Sequence, residues 1–142
     1  MKAMLAVLAL MLASVATAQT EGVKFVEGKS LAQVMAQAKK EGKLTFVDCY
    51  TTWCGPCKMM ANREFPKKEA GDYFNAKFVC AKYDIEAGEG IELAKKYDVR
   101  SIPTFLIFNT EGELIHRMVG ANEIGEFIKS VEDGLKQAQS ND

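Results

Sequence analysis

Residues 44–58 read LTFVDCYTTWCGPCK, an apolar run broken by one acid and followed at once by two cysteines three positions apart. Leu44 to Tyr50 is apolar on both faces apart from Asp48, the pattern of a strand buried between helix layers on either side of a sheet. A helix is expected to begin at the cysteines. On a helix Cys54 and Cys57 share a face and can reach disulfide geometry. The first N–H groups of a helix have no partners inside it, and together with the helix dipole they favour thiolate over thiol. The pKa of Cys54 should therefore fall below the free value of about 8.5. Cys54 is then the nucleophile, and Cys57, one turn further in, is the resolving thiol. Pro56 fits a first helical turn, where its missing N–H leaves no acceptor waiting.

Burying the Asp48 carboxyl in such a strand is costly unless it is protonated or partnered. A protonated acid below the dithiol is suited to take the Cys57 proton during exchange. A carboxylate at a sheet edge, or one paired with a lysine, satisfies the same pattern. C-x-x-C also has rival readings. Zinc wants four ligands, and beyond the pair the chain offers only Cys49, Cys80 and the single His116, with no second paired motif, so no metal site is expected. An inert disulfide in a non-catalytic binding or chaperone module is the other alternative, which only the surroundings of the pair can decide.

Outward from this stretch, Val23 to Glu27 reads as a short strand, and Ser30 offers an N-cap to a helix carrying Leu31, Val34, Met35 and Ala38 and ending at Gly42. The helix that starts at the cysteines should stop or kink near Phe65, before Pro66, with a second helical stretch to about Asn75. Phe78 to Ile85 is a further strand and Gly90 to Tyr97 a further helix. Pro103 to Asn109 and Leu114 to Val119 read as an antiparallel hairpin joined by Thr110-Glu111-Gly112. A last helix is expected from Glu123 to Gln137, with Ile124, Phe127, Ile128, Val131 and Leu135 on one face. Alternating strands and helices closed by a hairpin predict an α/β domain with a mixed sheet. Met59 and Met60 should pack the helix after the cysteines against that sheet, and His116 reads as a surface or structural residue. The runs Lys39-Lys40-Glu41 and Lys67-Lys68-Glu69 read as solvated helix faces.

The chain has 142 residues, 48% hydrophobic and 26% charged, which fits one globular domain and excludes collagen-like, coiled-coil and disordered classes. Its formal charge of −1 lacks the basic footprint that a phosphate backbone demands, so no nucleic acid partner is expected. Lys2, the apolar run Met4 to Ala13 and the small-x-small pattern Ala16-Thr17-Ala18 predict a signal peptide over 1–18 cleaved before Gln19, leaving a domain over 19–142. The uncharged run is shorter than the roughly 20 apolar residues of a spanning helix. Losing Lys2 and no acid moves the formal charge from −1 to −2. Export to a periplasmic or secreted location also means an oxidising compartment, where thiols tend to become disulfides.

FVDCYTTWCGPCK resembles the active-site strand and helix start of the thioredoxin family, with Asp48 at the family's buried acid, Trp53 flanking the pair and CGPC matching outright. AKYDI resembles the strand bearing the family's buried lysine, here Lys82, and KKYDVRSIPTFLIF resembles the segment of its cis-proline, here Pro103. Gly120 matches a glycine near the end of the last strand. The resemblance covers the mature chain and is closer to exported thioredoxin-like or disulfide-isomerase-type members. It implies the thioredoxin fold, a central mixed sheet with helices on both faces, and a cis peptide before Pro103 set beside Cys54. It implies that Asp48, assisted by Lys82, handles the Cys57 proton. Trp53, Gly55, Pro56, Ile102 and Pro103 would contact substrate. No cofactor beyond the redox-active Cys54–Cys57 disulfide is implied.

Three positions depart from the family pattern. Asn62 stands where a helix-kinking proline is usual, Tyr50 replaces the first of two tryptophans, and Ser101 stands where glycine is common. If Asp48 and Lys82 face one another, Cys80 shares their face while Cys49 points to the other, because side chains alternate along a strand. Those two cysteines are then separate, buried free thiols, and Cys54 and Cys57 are the exposed reactive pair. The activity implied is thiol-disulfide exchange on protein disulfides outside the cytoplasm, by a monomer, in the reductase or isomerase direction. Gly-Pro between the cysteines is the pair of reducing thioredoxins. A membrane-embedded electron donor would recharge the dithiol.

Overall fold

In the computed structural model, residues 21–142 are described, so the expected signal peptide over 1–18 and the expected cleavage before Gln19 lie outside the described residues. Five strands, β1 (Phe25–Val26), β2 (Leu44–Tyr50), β3 (Phe78–Asp84), β4 (Thr104–Phe108) and β5 (Leu114–Val119), form one sheet in the order β1-β3-β2-β4-β5. β1 and β2 run parallel to β3, whereas β4 is antiparallel to β2 and β5 to β4. β2 therefore lies at the centre, and its residues from Thr45 to Cys49 are all buried, as their apolar run dictates.

Helices cover both faces. α1 (Leu31–Glu41) and α4 (Glu89–Lys96) press Leu31 and Leu93 against Val47, Cys49, Leu106 and Phe108. The opposite face is an aromatic core in which Phe46 meets Phe65, Phe74, Phe78, Phe105 and Phe127 at ring distances from 4.8 to 6.2 Å. α2 (Gly55–Met59), α3 (Lys68–Lys77) and α5 (Ile124–Ser140) lie on this side. Each fully buried phenylalanine removes enough apolar surface to contribute about 2–3 kcal/mol before entropy is counted. α1 starts at Ser30, whose side chain and that of Gln33 form a reciprocal capping box, and it ends at Gly42, which adopts a left-handed φ of 67°.

The chain departs from sequence expectation in three elements. After α2 the backbone widens into a π turn over Met60–Glu64, closed by the Phe65 N–H donating to the Met60 carbonyl (2.8 Å). Asn62 keeps the N–H that a proline there would lack, so the helix continues through this position rather than kinking at it. The turn buries Phe65 and sends the Glu64 carboxylate to the start of α5, where it accepts from the Ile124 N–H at 2.8 Å. α5 runs to Ser140, three residues past the expected end.

The first strand is reduced to Phe25–Val26, because the residues before it are diverted onto α3 and the π turn. Val23 donates its N–H to the Phe65 carbonyl (2.8 Å), Lys24 its N–H to Asn75 Oδ1 (2.8 Å), and Asn75 Nδ2 donates to the Gly22 carbonyl (3.0 Å). This strap sits so close to α3 that a Cβ on Gly71 would lie 2.7 Å from the Gly22 nitrogen. Alanine in place of a helical glycine ordinarily gains about 1 kcal/mol. Here the sign should reverse: Gly71→Ala is expected to lower stability by about 1–3 kcal/mol, since backbone on both sides cannot give way. Urea unfolding of the variant checks this, and a raised midpoint would refute the packing argument.

Candidate active site

β2 and the loop that follows it carry the chain to the cysteines. The Ile85 N–H donates to the Tyr50 carbonyl (2.9 Å), tying the end of β2 to the segment after β3, and Cys54 takes an extended backbone as the N-cap of α2. Its Sγ accepts from the Cys57 N–H at 3.2 Å, and the Lys58 N–H donates to its carbonyl at 3.1 Å, which closes the first turn. Pro56 lies inside that turn, where its missing N–H leaves nothing unsatisfied. Cys54 and Cys57 are joined as a disulfide with their Cα atoms 5.3 Å apart, within the usual span of such bonds. The chain is thus in its oxidised form.

Two expectations need correction here. Cys54 and Cys57 are buried, 3% and 4% exposed, not an exposed pair. Each sulfur is bonded to the other and Cys54 Sγ also faces the Cys57 amide, while Gly55 and Pro56 take the solvent side. Lys82 is exposed rather than buried. It is the register partner of Asp48 across β2 and β3, yet it makes no hydrogen bond or ion pair among the described residues. Its long stem rises past the short carboxyl, so its ammonium sits 5.6 Å from the ring centres of both Phe25 and Tyr50.

Asp48 itself is 3% exposed, and its Oδ1 has no hydrogen-bond partner among the described residues. Burial pushes its pKa up to about 7, against the opposing pull of the Lys82 charge. A cleft of about 250 Å³ lined by Asp48 and Lys82 opens to the surface, walled by Val23 and Phe25 of the strap and by Phe65 and Pro66 beyond the π turn. The acid is therefore neither at a sheet edge nor in an ion pair.

Around the disulfide, Trp53 is 66% exposed and its indole N–H donates to Glu86 Oε1 at 2.8 Å, which fixes the ring edge and leaves its faces open. The Ile102–Pro103 peptide is cis, Pro103 is buried and Ile102 is half-buried. The turn is held by Thr104 Oγ1 donating to the Ser101 carbonyl (2.6 Å) and by the Gly120 N–H donating to the Pro103 carbonyl (2.9 Å). Cys49 and Cys80 are buried free thiols on opposite sides of the sheet, and burial above all pushes Cys49 up to about 12 and Cys80 higher still. Neither ionises at neutral pH. Met60 is fully buried in the aromatic core with Met59 packed against it, and the half-buried His116 ring lies against Gly134 of α5.

Two residues of the neighbourhood escape sequence reasoning. Glu64 is 7% exposed, and the Lys67 ammonium, with help from the Ile124 amide, holds its carboxyl below the usual range. Val119, register partner of Thr104, is 61% exposed. Among the described residues no group of three or more histidine, cysteine or acidic side chains is placed to hold a metal ion.

A disulfide of C-x-x-C spacing at the first turn of a helix, in a fold that also carries a cis-proline turn and a buried acid on its central strand, defines the class of thiol-disulfide oxidoreductases. Residues 22–133 match the family model described as Thioredoxin. A thioredoxin of Echinococcus granulosus is 39% identical over 103 residues, which cover 72% of this chain and 86% of that protein. The solution structure of a candidate disulphide-isomerase from Bacteroides thetaiotaomicron superposes with a TM-score of 0.73 at 46% identity, covering 83% of this chain and 97% of that one. A thioredoxin from Thermus thermophilus, 24% identical with a TM-score of 0.68 over 79% of this chain and 86% of that one, shares the fold. The chain belongs to the thioredoxin family.

Proposed function

We propose that this oxidoreductase works outside the cytoplasm as a reductase or isomerase of protein disulfides, as a monomer, with Cys54 as nucleophile. The observation that carries the reading is the Cys54–Cys57 disulfide at the start of α2, with Cys54 in the N-cap position. In the reduced protein the Cys54 thiolate attacks one sulfur of a substrate disulfide. That S–S bond breaks, the departing substrate sulfur takes a proton, and a mixed disulfide forms. Cys57 then gives its proton to Asp48 and attacks Cys54 Sγ; the Cys54–substrate S–S bond breaks and the second substrate sulfur leaves as a thiolate that takes a proton from solvent. Two electrons pass to the substrate, and Cys54–Cys57 is left as the disulfide seen here.

A carboxyl that titrates near neutrality is well matched to such a transfer. Trp53, Gly55, Pro56, Ile102 and Pro103 would form the surface that receives an extended substrate segment, with Lys82 biasing Asp48 toward its ionised form. The N-terminal residues 1–18, with their basic start, apolar run and Ala16-Thr17-Ala18, support export, after which a membrane-embedded thiol donor would return the electrons.

Equilibration against glutathione buffers tests the direction. A potential near the −270 mV typical of thioredoxin, or the roughly −180 mV of an isomerase, fits; one near the −120 mV of a strong oxidant overturns it. Mass analysis of the protein recovered from an exporting host tests the location. A chain starting at Gln19 supports it, and full-length protein retained in the cytoplasm refutes it.

A further inference from the structure

We propose that Phe25 and Tyr50 form an aromatic cradle that fixes the Lys82 ammonium at the mouth of the cleft leading to Asp48, which makes both rings positioning residues for the exchange reaction. The proposal deepens the reading of Asp48 as proton acceptor and rests on it.

The sheet register builds the cradle. Phe25 is opposite Cys80, two residues before Lys82, and Tyr50 is opposite Asp84, two residues after it. Both therefore lie on the face of Lys82 at diagonal cross-strand positions, a separation that aromatic and long side chains can bridge. The ammonium stands 5.6 Å from each ring centre, inside the range of cation–π attraction. No carboxylate comes within ion-pair distance of it among the described residues. Phe25 is in turn held edge-on by Phe65, with centroids 5.4 Å apart and planes at 71°, so the strap and the turn after α2 fix one side of the cradle. Burial above all, helped by Asp84 and Asp48, keeps the Tyr50 phenol protonated, so that ring acts as a neutral face. Here the departure from tryptophan at Tyr50 finds a use: a single ring reaches Lys82 from the end of β2.

The groups facing Asp48 are few. β3 contributes Lys82, with Cys80 and Asp84 to either side on the same face, and β2 contributes Tyr50. β4 presents Phe105, the π turn contributes Ala61 to the cleft and the strap contributes Glu21. Lys82 is the one charge among these that shifts the Asp48 carboxyl, and it shifts it downward. Placing the ammonium thus sets how readily Asp48 ionises.

The test is a titration of the Asp48 carboxyl by carbon-13 NMR in the oxidised protein, where the paired cysteines carry no proton and the acid titrates free of them. Lys82→Gln should raise the Asp48 midpoint by about half a pH unit, because it removes the charge that draws the carboxyl downward. Phe25→Leu and Tyr50→Leu, which keep apolar bulk but remove the ring faces, should each raise it by a smaller amount, and neither should add to the shift in a Lys82→Gln background. An unchanged midpoint in both leucine variants, or shifts that persist without Lys82, overturns the cradle. In the reduced protein, disulfide exchange at pH 7 should slow about twofold with Lys82→Gln and recover above pH 9, where Asp48 is ionised in every variant. Midpoints that move while the pH profile of exchange stays fixed would leave the cradle standing and remove Asp48 as proton acceptor.

Discussion

Replacing Asp48 with asparagine is expected to stabilise the oxidised protein by about 4 kcal/mol at pH 8 and to leave it close to wild type at pH 4. The carboxyl ionises near 3.8 in an unfolded chain and near 7 in its buried site. Between those values the folded state holds a proton that the unfolded state has lost. Stability is therefore fully present at low pH, falls as pH rises through this window, and levels off above pH 7. Three pH units at 1.36 kcal/mol each give the size of the effect. An amide has no charge to bury, so the variant should lack this slope. Urea midpoints of both proteins across pH 4–8 measure it, and a constant difference between them would show that Asp48 does not ionise as its surroundings require. The same substitution should slow resolution by Cys57, so that the most stable form of the chain is the poorer catalyst.

Cys54→Ser is expected to abolish reduction of insulin by dithiothreitol above the uncatalysed rate, because serine provides neither a thiolate nor a sulfur for the mixed disulfide. Cys57→Ser should fail differently. Its Cys54 can still attack, yet nothing intramolecular releases the substrate, so a covalent complex accumulates that non-reducing electrophoresis separates from free protein. Equal turbidity rates for wild type and Cys54→Ser would make the Cys54–Cys57 bond a structural staple. A complex trapped by Cys54→Ser but not by Cys57→Ser would reverse the roles of the two thiols.

Much of this site was legible in the sequence, for local reasons. The apolar run of β2, the C-x-x-C spacing, Pro56 in the first turn and the capping residues Ser30 and Gly42 act within a few residues of themselves. The separation of Cys49 from Cys80 followed from strand alternation once Asp48 and Lys82 were set opposite one another. What stayed hidden depends on contacts across the fold. The exposure of Lys82 is decided by how far its stem rises beyond Asp48 and by two rings from other strands. The burial of Cys54 depends on the bond to Cys57 and on the side that Gly55 and Pro56 present to solvent. The π turn needs a destination for Glu64, and its Ile124 partner is 60 residues away.

The strap over α3 has a consequence for the order in which the chain assembles. Its side-chain clamps join residues 51 and 53 positions apart, and its partners in α3 and β3 must be in place before it can dock. Loop-closure entropy therefore sets this segment among the late events of folding, after the central strands have paired. Lesions at Gly22, Phe25 or Asn75 should consequently appear in the rate at which the protein comes apart and scarcely in the rate at which it forms. The wall of the Asp48 cleft is thus the part of the molecule completed last and opened first, so the lifetime of the site is set by residues that never touch the reacting sulfurs.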